Sequence, residues 1–126
     1  MMQGTIQMQE FFAMFAGSGK LLKPPQRLSG KILLAVRGLV ARYGHQSVVA
    51  VPMEPGDPQA RDSNPYWVAN RARVIVNRDG IFVVSEFRDS QAPQLQRSLD
   101  GVTVTAIGRK EARRMLAPAA NSVVSK

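Results

Sequence analysis

Arginine and aromatic side chains recur together in the stretch at residues 66–88. Two β-rich runs flank residues 77–80, which include an Asp-Gly pair, a strong signal for a hairpin turn. Because alternate side chains of a strand share a face, such a hairpin places rings and guanidinium groups side by side. That face would carry Trp67, Arg71, Arg73, Phe82 and Arg88. Cations bind phosphates and rings stack on unpaired bases, so the pattern predicts binding of single-stranded nucleic acid.

The same hairpin has a second interpretation, in which its rings belong to the hydrophobic core. The opposite, valine-rich face is expected to be core in either case. In the second interpretation Trp67 and Phe82 are core residues too, and Glu86 pairs with an arginine across the strands. The sequence leaves both interpretations open.

Two further groups of cations flank the hairpin along the chain. Lys110, Arg113 and Arg114 share one side of a helix predicted at residues 109–116. A group in front of the first long helix consists of Lys20, Lys23 and Arg27, and continues to Lys31. Either group alone is typical of a solvated surface, whereas three groups in one small chain favour an extended path for a polyanion.

Residue types that could support catalysis or bind a metal are sparse. The Gly-Ser-Gly-Lys run at residues 17–20 lacks the earlier glycine and the following Ser or Thr of a phosphate-binding loop. His45 is the only histidine and the chain has no cysteine, so the usual zinc-ligand sets are excluded. We therefore expect no catalytic residues, no metal site and no cofactor.

The overall charge points to the same class of partner as the arginine groups. The 126 residues include 17 Lys and Arg against 9 Asp and Glu, a formal net charge of +8. Arginine supplies most of the cations, and its planar fork binds phosphate oxygens in pairs. The absence of cysteine, of a secretory signal and of a long apolar run favours a cytoplasmic protein without membrane attachment.

The pattern of apolar residues along the chain predicts the helices and strands that position these cations and rings. Residues 6–16 are apolar on more than one side, which predicts a helix that docks on the body or on another subunit. Residues 1–19 are thus a possible oligomerisation element, and residues 20–27, with two prolines, are interpreted as a basic linker. An amphipathic helix is predicted at residues 29–43, where apolar side chains recur at 3.6-residue spacing.

The remaining chain predicts mainly strands. Short strands are expected at residues 47–51 and 101–107, on either side of a proline-rich loop (52–65), the hairpin and an irregular polar stretch (90–99). The fold class is therefore predicted as α+β: N-terminal helices, then a four-stranded, mainly antiparallel sheet with a central hairpin, and a short C-terminal helix. Residues 20–118 would form the binding domain and residues 119–126 a flexible tail.

Taken together, these patterns predict a non-enzymatic protein that binds nucleic acid, with single-stranded DNA favoured, as a homo-oligomer. The alternatives are a regulatory protein that docks on an acidic protein partner or on duplex DNA, and a structural subunit of an assembly.

Overall fold

A computed structural model describes residues 10–43, 47–85 and 96–116. In this part of the chain the strands and helices follow one another as β1 (Phe11–Ala16), β2 (Leu21–Arg27), α1 (Gly30–Tyr43), β3 (Val48–Pro52), α2 (Pro65–Arg71), β4 (Val74–Asn77), β5 (Gly80–Val84), β6 (Gln96–Leu99), β7 (Val102–Ile107) and α3 (Arg109–Leu116).

The described strands form one seven-stranded sheet in the order β2-β1-β3-β4-β5-β7-β6. Neighbouring strands are antiparallel except β5 and β7, which are parallel and pair Phe82 with Thr105. Helix α1 packs on one face of the sheet, whereas α2 and α3 pack on the other. The predicted arrangement of N-terminal helices followed by a four-stranded sheet is therefore wrong.

The main error concerns the apolar N-terminal segment, which is strand β1 and not a helix. Phe12 and Met14 point into the core beneath α1, and Ala13 and Phe15 point into the core beneath α2 and α3. A strand that is covered on both faces is apolar at successive positions, and periodicity alone does not distinguish it from a buried helix. Residues 1–9 lie outside the described part of the chain.

The segment predicted as a basic linker is also a strand. β2 lies at an edge of the sheet and pairs only with β1 among the described strands. Its residues Pro24 and Pro25 lack the backbone N–H that an inner strand must donate, and an edge strand tolerates this loss. The prolines therefore fit a sheet edge as well as they fit a linker.

Helix α1 confirms the prediction from the apolar pattern. The Ser29 hydroxyl accepts a hydrogen bond from the backbone N–H of Ile32 at 3.2 Å, as expected of a residue that caps a helix. Leu33, Val36 and Val40 are buried against the sheet, as their spacing requires.

The predicted hairpin is correct around its turn and wrong in its first half. β4 and β5 pair Val76 with Ile81, and Asn77 with Gly80. Residues 65–71, however, form helix α2, which begins because the Asn64 side chain accepts a hydrogen bond from the Trp67 backbone N–H at 2.8 Å. Pro65 occupies the first helical turn, where its missing N–H costs nothing.

Towards the C-terminus the strand at Val102–Ile107 and the helix at Arg109–Leu116 confirm their predictions. Gln96–Leu99 forms β6, so the prediction of an irregular stretch is wrong at these four residues. This strand is polar because it lies at the outer edge of the sheet. Residues 86–95 and 117–126, which include Arg88, Glu86 and the predicted tail, lie outside the described part.

The proline-rich loop at residues 53–64 packs against the turn between β1 and β2. The Ser63 backbone N–H donates to the Gly19 carbonyl at 2.8 Å, and the Asp62 carboxylate accepts from the Leu21 N–H at 2.7 Å. Gly19 has a φ of +102°, and a Cβ there would lie 1.7 Å from the Ser63 oxygen. Glycine is therefore required for this contact, which fixes the loop that leads into α2.

The turn between β6 and β7 stabilises the start of α1. One Asp100 carboxylate oxygen accepts a hydrogen bond from the Gly30 backbone N–H at 2.9 Å. A negative charge is favourable at this end of a helix, where backbone N–H groups lack partners. A Cβ on Gly30 would lie 2.6 Å from the Asp100 carbonyl oxygen, so glycine permits this approach.

We expect the Asp100→Gly substitution to lower the free energy of unfolding by about 1 kcal/mol, because it removes the acceptor that caps α1. Asp100 has a φ of 58°, which glycine adopts without strain, so the loss reports on the carboxylate. Asp100→Asn keeps an acceptor and is the control, expected within a few tenths of a kcal/mol of the parent. Urea unfolding measures both variants, and a fully stable Asp100→Gly protein would contradict this role.

Within residues 10–43, 47–85 and 96–116, no helix has both the length and the apolar character that crossing a membrane requires.

Candidate nucleic-acid interface

Trp67 lies on α2 and not on a strand, and its indole is half-buried. The ring meets Phe15 edge-on, with ring centroids 6.0 Å apart and ring planes at 66°. The Arg71 guanidinium lies over the indole, 4.8 Å from its centroid, in a cation–π contact. A base could stack on the indole from this side only by displacing Arg71.

Phe82, the second ring predicted to contact bases, lies on β5 and is half-buried. It packs with the core residues beneath α2 and α3, among them Ile75, its partner across the strands. The two helices cover this face of the sheet, so Phe82 does not lie on an open platform. The structure thus brings Trp67 and Phe82 into one cluster, but as part of a core.

Arg73 connects the end of α2 to the sheet and is half-buried. Its backbone N–H donates to the Ala50 carbonyl, and its carbonyl accepts from the Val84 N–H, each at 2.8 Å. Both bonds fix the backbone at this point.

Helix α3 presents its cations to solvent, as its sequence predicts. Ala112 is fully buried against the sheet, whereas Lys110, Arg113 and Arg114 are exposed on the outer side. Arg114 is engaged within the helix, since its Nη2 lies 2.5 Å from a Glu111 carboxylate oxygen. Among the described residues, Lys110 and Arg113 make no ion pair.

A hydrogen bond from Arg109 links the two helices. Its Nη1 donates to the Ala72 carbonyl at 2.9 Å, just after the last residue of α2. An arginine at the end of a helix satisfies a carbonyl that has no partner within the helix. The bond brings the C-terminal end of α2, with Arg71, next to the start of α3.

We call the exposed cations of these two adjoining helices the α2–α3 surface. It consists of Arg71, Lys110, Arg113 and Arg114. Tyr66, on the outer side of α2, adds a ring that is 66% exposed. The sequence analysis did not single out Tyr66, although the Asn-Pro pair at residues 64–65 signals a helix start and so places Tyr66 in the first turn of a helix.

The third predicted group of cations lies along β2 and does not join α3. Lys20 and Arg27 are exposed and Lys23 is half-buried. The Arg27 guanidinium lies 4.9 Å from the centre of the Phe11 ring. β2 is five strand spacings from β7, the strand that leads into α3, or roughly 25 Å. The structure therefore separates this group from Lys110 and Arg113.

Two of the three acidic side chains of the proline-rich loop, Asp57 and Asp62, bind backbone groups of the protein itself. The Asp57 carboxylate accepts a hydrogen bond from the Gln59 N–H at 2.8 Å, and the Asp62 carboxylate accepts one from the Leu21 N–H at the start of β2. In the part of the chain that the structure describes, no group of three or more His, Cys, Asp or Glu is arranged to hold a metal ion.

Comparisons with protein families, with characterised proteins and with solved structures find no match to this chain. Its function must therefore be inferred from its own residues and their geometry.

Proposed function

We propose that this protein is a non-enzymatic, cytoplasmic nucleic-acid-binding protein that contacts phosphates through the α2–α3 surface. The observation that carries the proposal is the joining of α2 to α3 by the bond from Arg109 to Ala72. That bond joins the end of α2, which carries Arg71, to the start of α3, which carries Lys110 and Arg113. These three exposed cations make no ion pair with any described residue. Cations without acidic partners are available to phosphates, and the net charge of +8 attracts a polyanion over longer distances.

The type of contact expected at this surface is mainly electrostatic. An arginine fork binds two phosphate oxygens, and each neutralised phosphate releases counterions from the nucleic acid. Base stacking would be a smaller contribution, because Arg71 and Phe15 already contact the Trp67 ring. Tyr66 is the ring in position to stack on an unpaired base.

The relative contributions of phosphate contacts and base stacking determine whether the protein prefers single strands, as the sequence predicts, or duplex DNA. Duplex DNA has the higher charge density, so a surface that binds mainly phosphates favours duplex at equal length and salt. A surface that binds mainly through stacking favours single strands. With one exposed ring among several exposed cations, we propose that duplex binds at least as tightly as a single strand, and that Tyr66 supports any binding of single strands.

The prediction of a homo-oligomer loses its original basis. It depended on an exposed apolar N-terminal surface, whereas Phe12, Met14 and Phe15 are buried within the protomer. Self-association of the protein stays a prediction, which sedimentation of the purified protein would test.

A titration with fluorescent oligonucleotides tests the proposal. We expect the logarithm of the binding constant to fall linearly with the logarithm of salt concentration, with a slope of about −0.9 for each phosphate neutralised in a duplex. Unrelated unlabelled DNA should compete. Absence of binding at low salt, or an affinity that does not change with salt, would contradict the proposal and favour an acidic protein partner for the same cations.

A further inference from the structure

A second basic surface lies on α1, on the opposite side of the sheet. The outer side of this helix exposes Lys31, Arg37 and Arg42, and no acidic residue occurs anywhere in α1. Among the described residues none of the three cations makes an ion pair or a hydrogen bond through its side chain. We call these three residues the α1 surface.

Among the described residues, the carboxylate that contacts α1 binds its backbone and not one of these cations. The acidic group placed at α1 is Asp100, whose carboxylate is bound to the backbone of Gly30 at the start of the helix. Gly38 has open space around it, and Leu34, between Lys31 and Arg37, is 56% exposed. Solvated helices usually alternate acids with bases along the exposed side, and α1 departs from that pattern.

The fold keeps the α1 surface apart from the α2–α3 surface. Helix α1 packs on the core that contains Phe12 and Met14, and α2 and α3 pack on the core that contains Ala13 and Phe15. The sheet thus lies between the two basic surfaces, and three layers of about 10 Å each separate them by roughly 30 Å. Duplex DNA has a persistence length of about 50 nm, so a short duplex bound to one surface cannot bend around to the other.

We propose that the protein bridges two segments of nucleic acid, with one segment on the α2–α3 surface and a second on the α1 surface. This inference rests on the nucleic-acid binding proposed above and adds that one protomer has two separate sites. The ligand class at α1 is the same, a phosphate backbone, because the described side chains of residues 30–42 include exposed cations and a leucine but no exposed ring.

A capture experiment tests bridging directly. A short duplex is fixed to beads, protein is added at low salt, and a fluorescent duplex of the same length is then supplied. The parent protein should retain the fluorescent duplex on the beads. The variant Lys31→Ala/Arg37→Ala/Arg42→Ala should reduce this capture at least about tenfold, while it still binds the fluorescent duplex in free solution through α2 and α3.

The controls separate bridging from its alternatives. Lys31→Arg/Arg37→Lys/Arg42→Lys keeps the charges and should capture as the parent does. If the alanine variant captures equally well, two copies of the protein join the duplexes through other surfaces, and the inference is overturned. Parent protein that binds in solution but captures nothing overturns bridging alone, whereas a parent that does not bind in solution overturns the proposed function as well.

Discussion

Replacing Phe15 with alanine is expected to lower the free energy of unfolding by about 3–5 kcal/mol, the usual cost of removing a buried phenyl ring. Phe15 has no exposed surface, lies opposite Val49 on the neighbouring strand, and supports the Trp67 ring edge-on. Its loss leaves a cavity between the sheet and α2. Urea unfolding measures the change, and analytical ultracentrifugation should show the mass of the parent.

Two further variants test whether the loss of stability comes from burial of the Phe15 ring. Phe15→Leu keeps most of the volume and should cost only about 1 kcal/mol, so it remains measurable if the alanine variant does not fold. Phe11→Ala removes a half-buried ring from the start of the same strand and should cost clearly less than Phe15→Ala. If Phe15→Ala kept the stability of the parent but reduced the mass of an oligomer, β1 would belong to an interface between subunits, as the sequence first suggested.

Residues 11–16 show why part of this fold could not be predicted from the sequence. A run that is apolar at every position suits a helix on an interface and a strand buried on both faces equally well. The choice depends on pairing with β3, which is more than 30 residues away and has no local signal. By contrast, α1 and α3 repeat their apolar residues at helical spacing and were found with nearly correct bounds.

The candidate site, like the fold, could be predicted from the sequence only in part. Lys110, Arg113 and Arg114 are exposed as predicted, because their own helix determines which side they occupy. Trp67 and Arg71 do lie together, but through helical spacing on α2 and not through strand alternation. Here a local signal was present, since Asn-Pro at residues 64–65 is a typical helix start. The bond from Arg109 to Ala72, which joins the two helices that carry the cations, connects residues 37 positions apart and cannot be read from a local sequence pattern.

Removing Arg71, Lys110 and Arg113 from the α2–α3 surface is expected to weaken duplex binding by about five-hundredfold near 0.1 M salt. Each phosphate contact contributes close to a factor of ten under these conditions, and the variant Arg71→Ala/Lys110→Ala/Arg113→Ala removes three. These side chains are exposed, and the bond from Arg109 to Ala72 is retained. Loss of the Arg71 contact with Trp67, about 0.5–1 kcal/mol, should lower the melting temperature by only a few degrees.

This experiment must measure binding by the α2–α3 surface without a contribution from the α1 surface. All proteins therefore carry Lys31→Ala/Arg37→Ala/Arg42→Ala, so that α1 contributes no phosphate contacts whether or not it binds a second segment. The matched control adds Lys20→Ala/Lys23→Ala/Arg27→Ala, which removes the same formal charge from β2. A loss of only a few-fold is expected for the control, since its cations lie away from α3.

The most direct test of the central claim is the salt dependence of duplex binding for these three proteins, measured by fluorescence anisotropy. Removing the α2–α3 cations should reduce the slope of log K against log salt by about 2.7, whereas the β2 control should change it by less than about 1. Equal slopes and equal affinities for the two variants would mean that binding follows net charge alone. That result would contradict a phosphate-binding surface on α2 and α3.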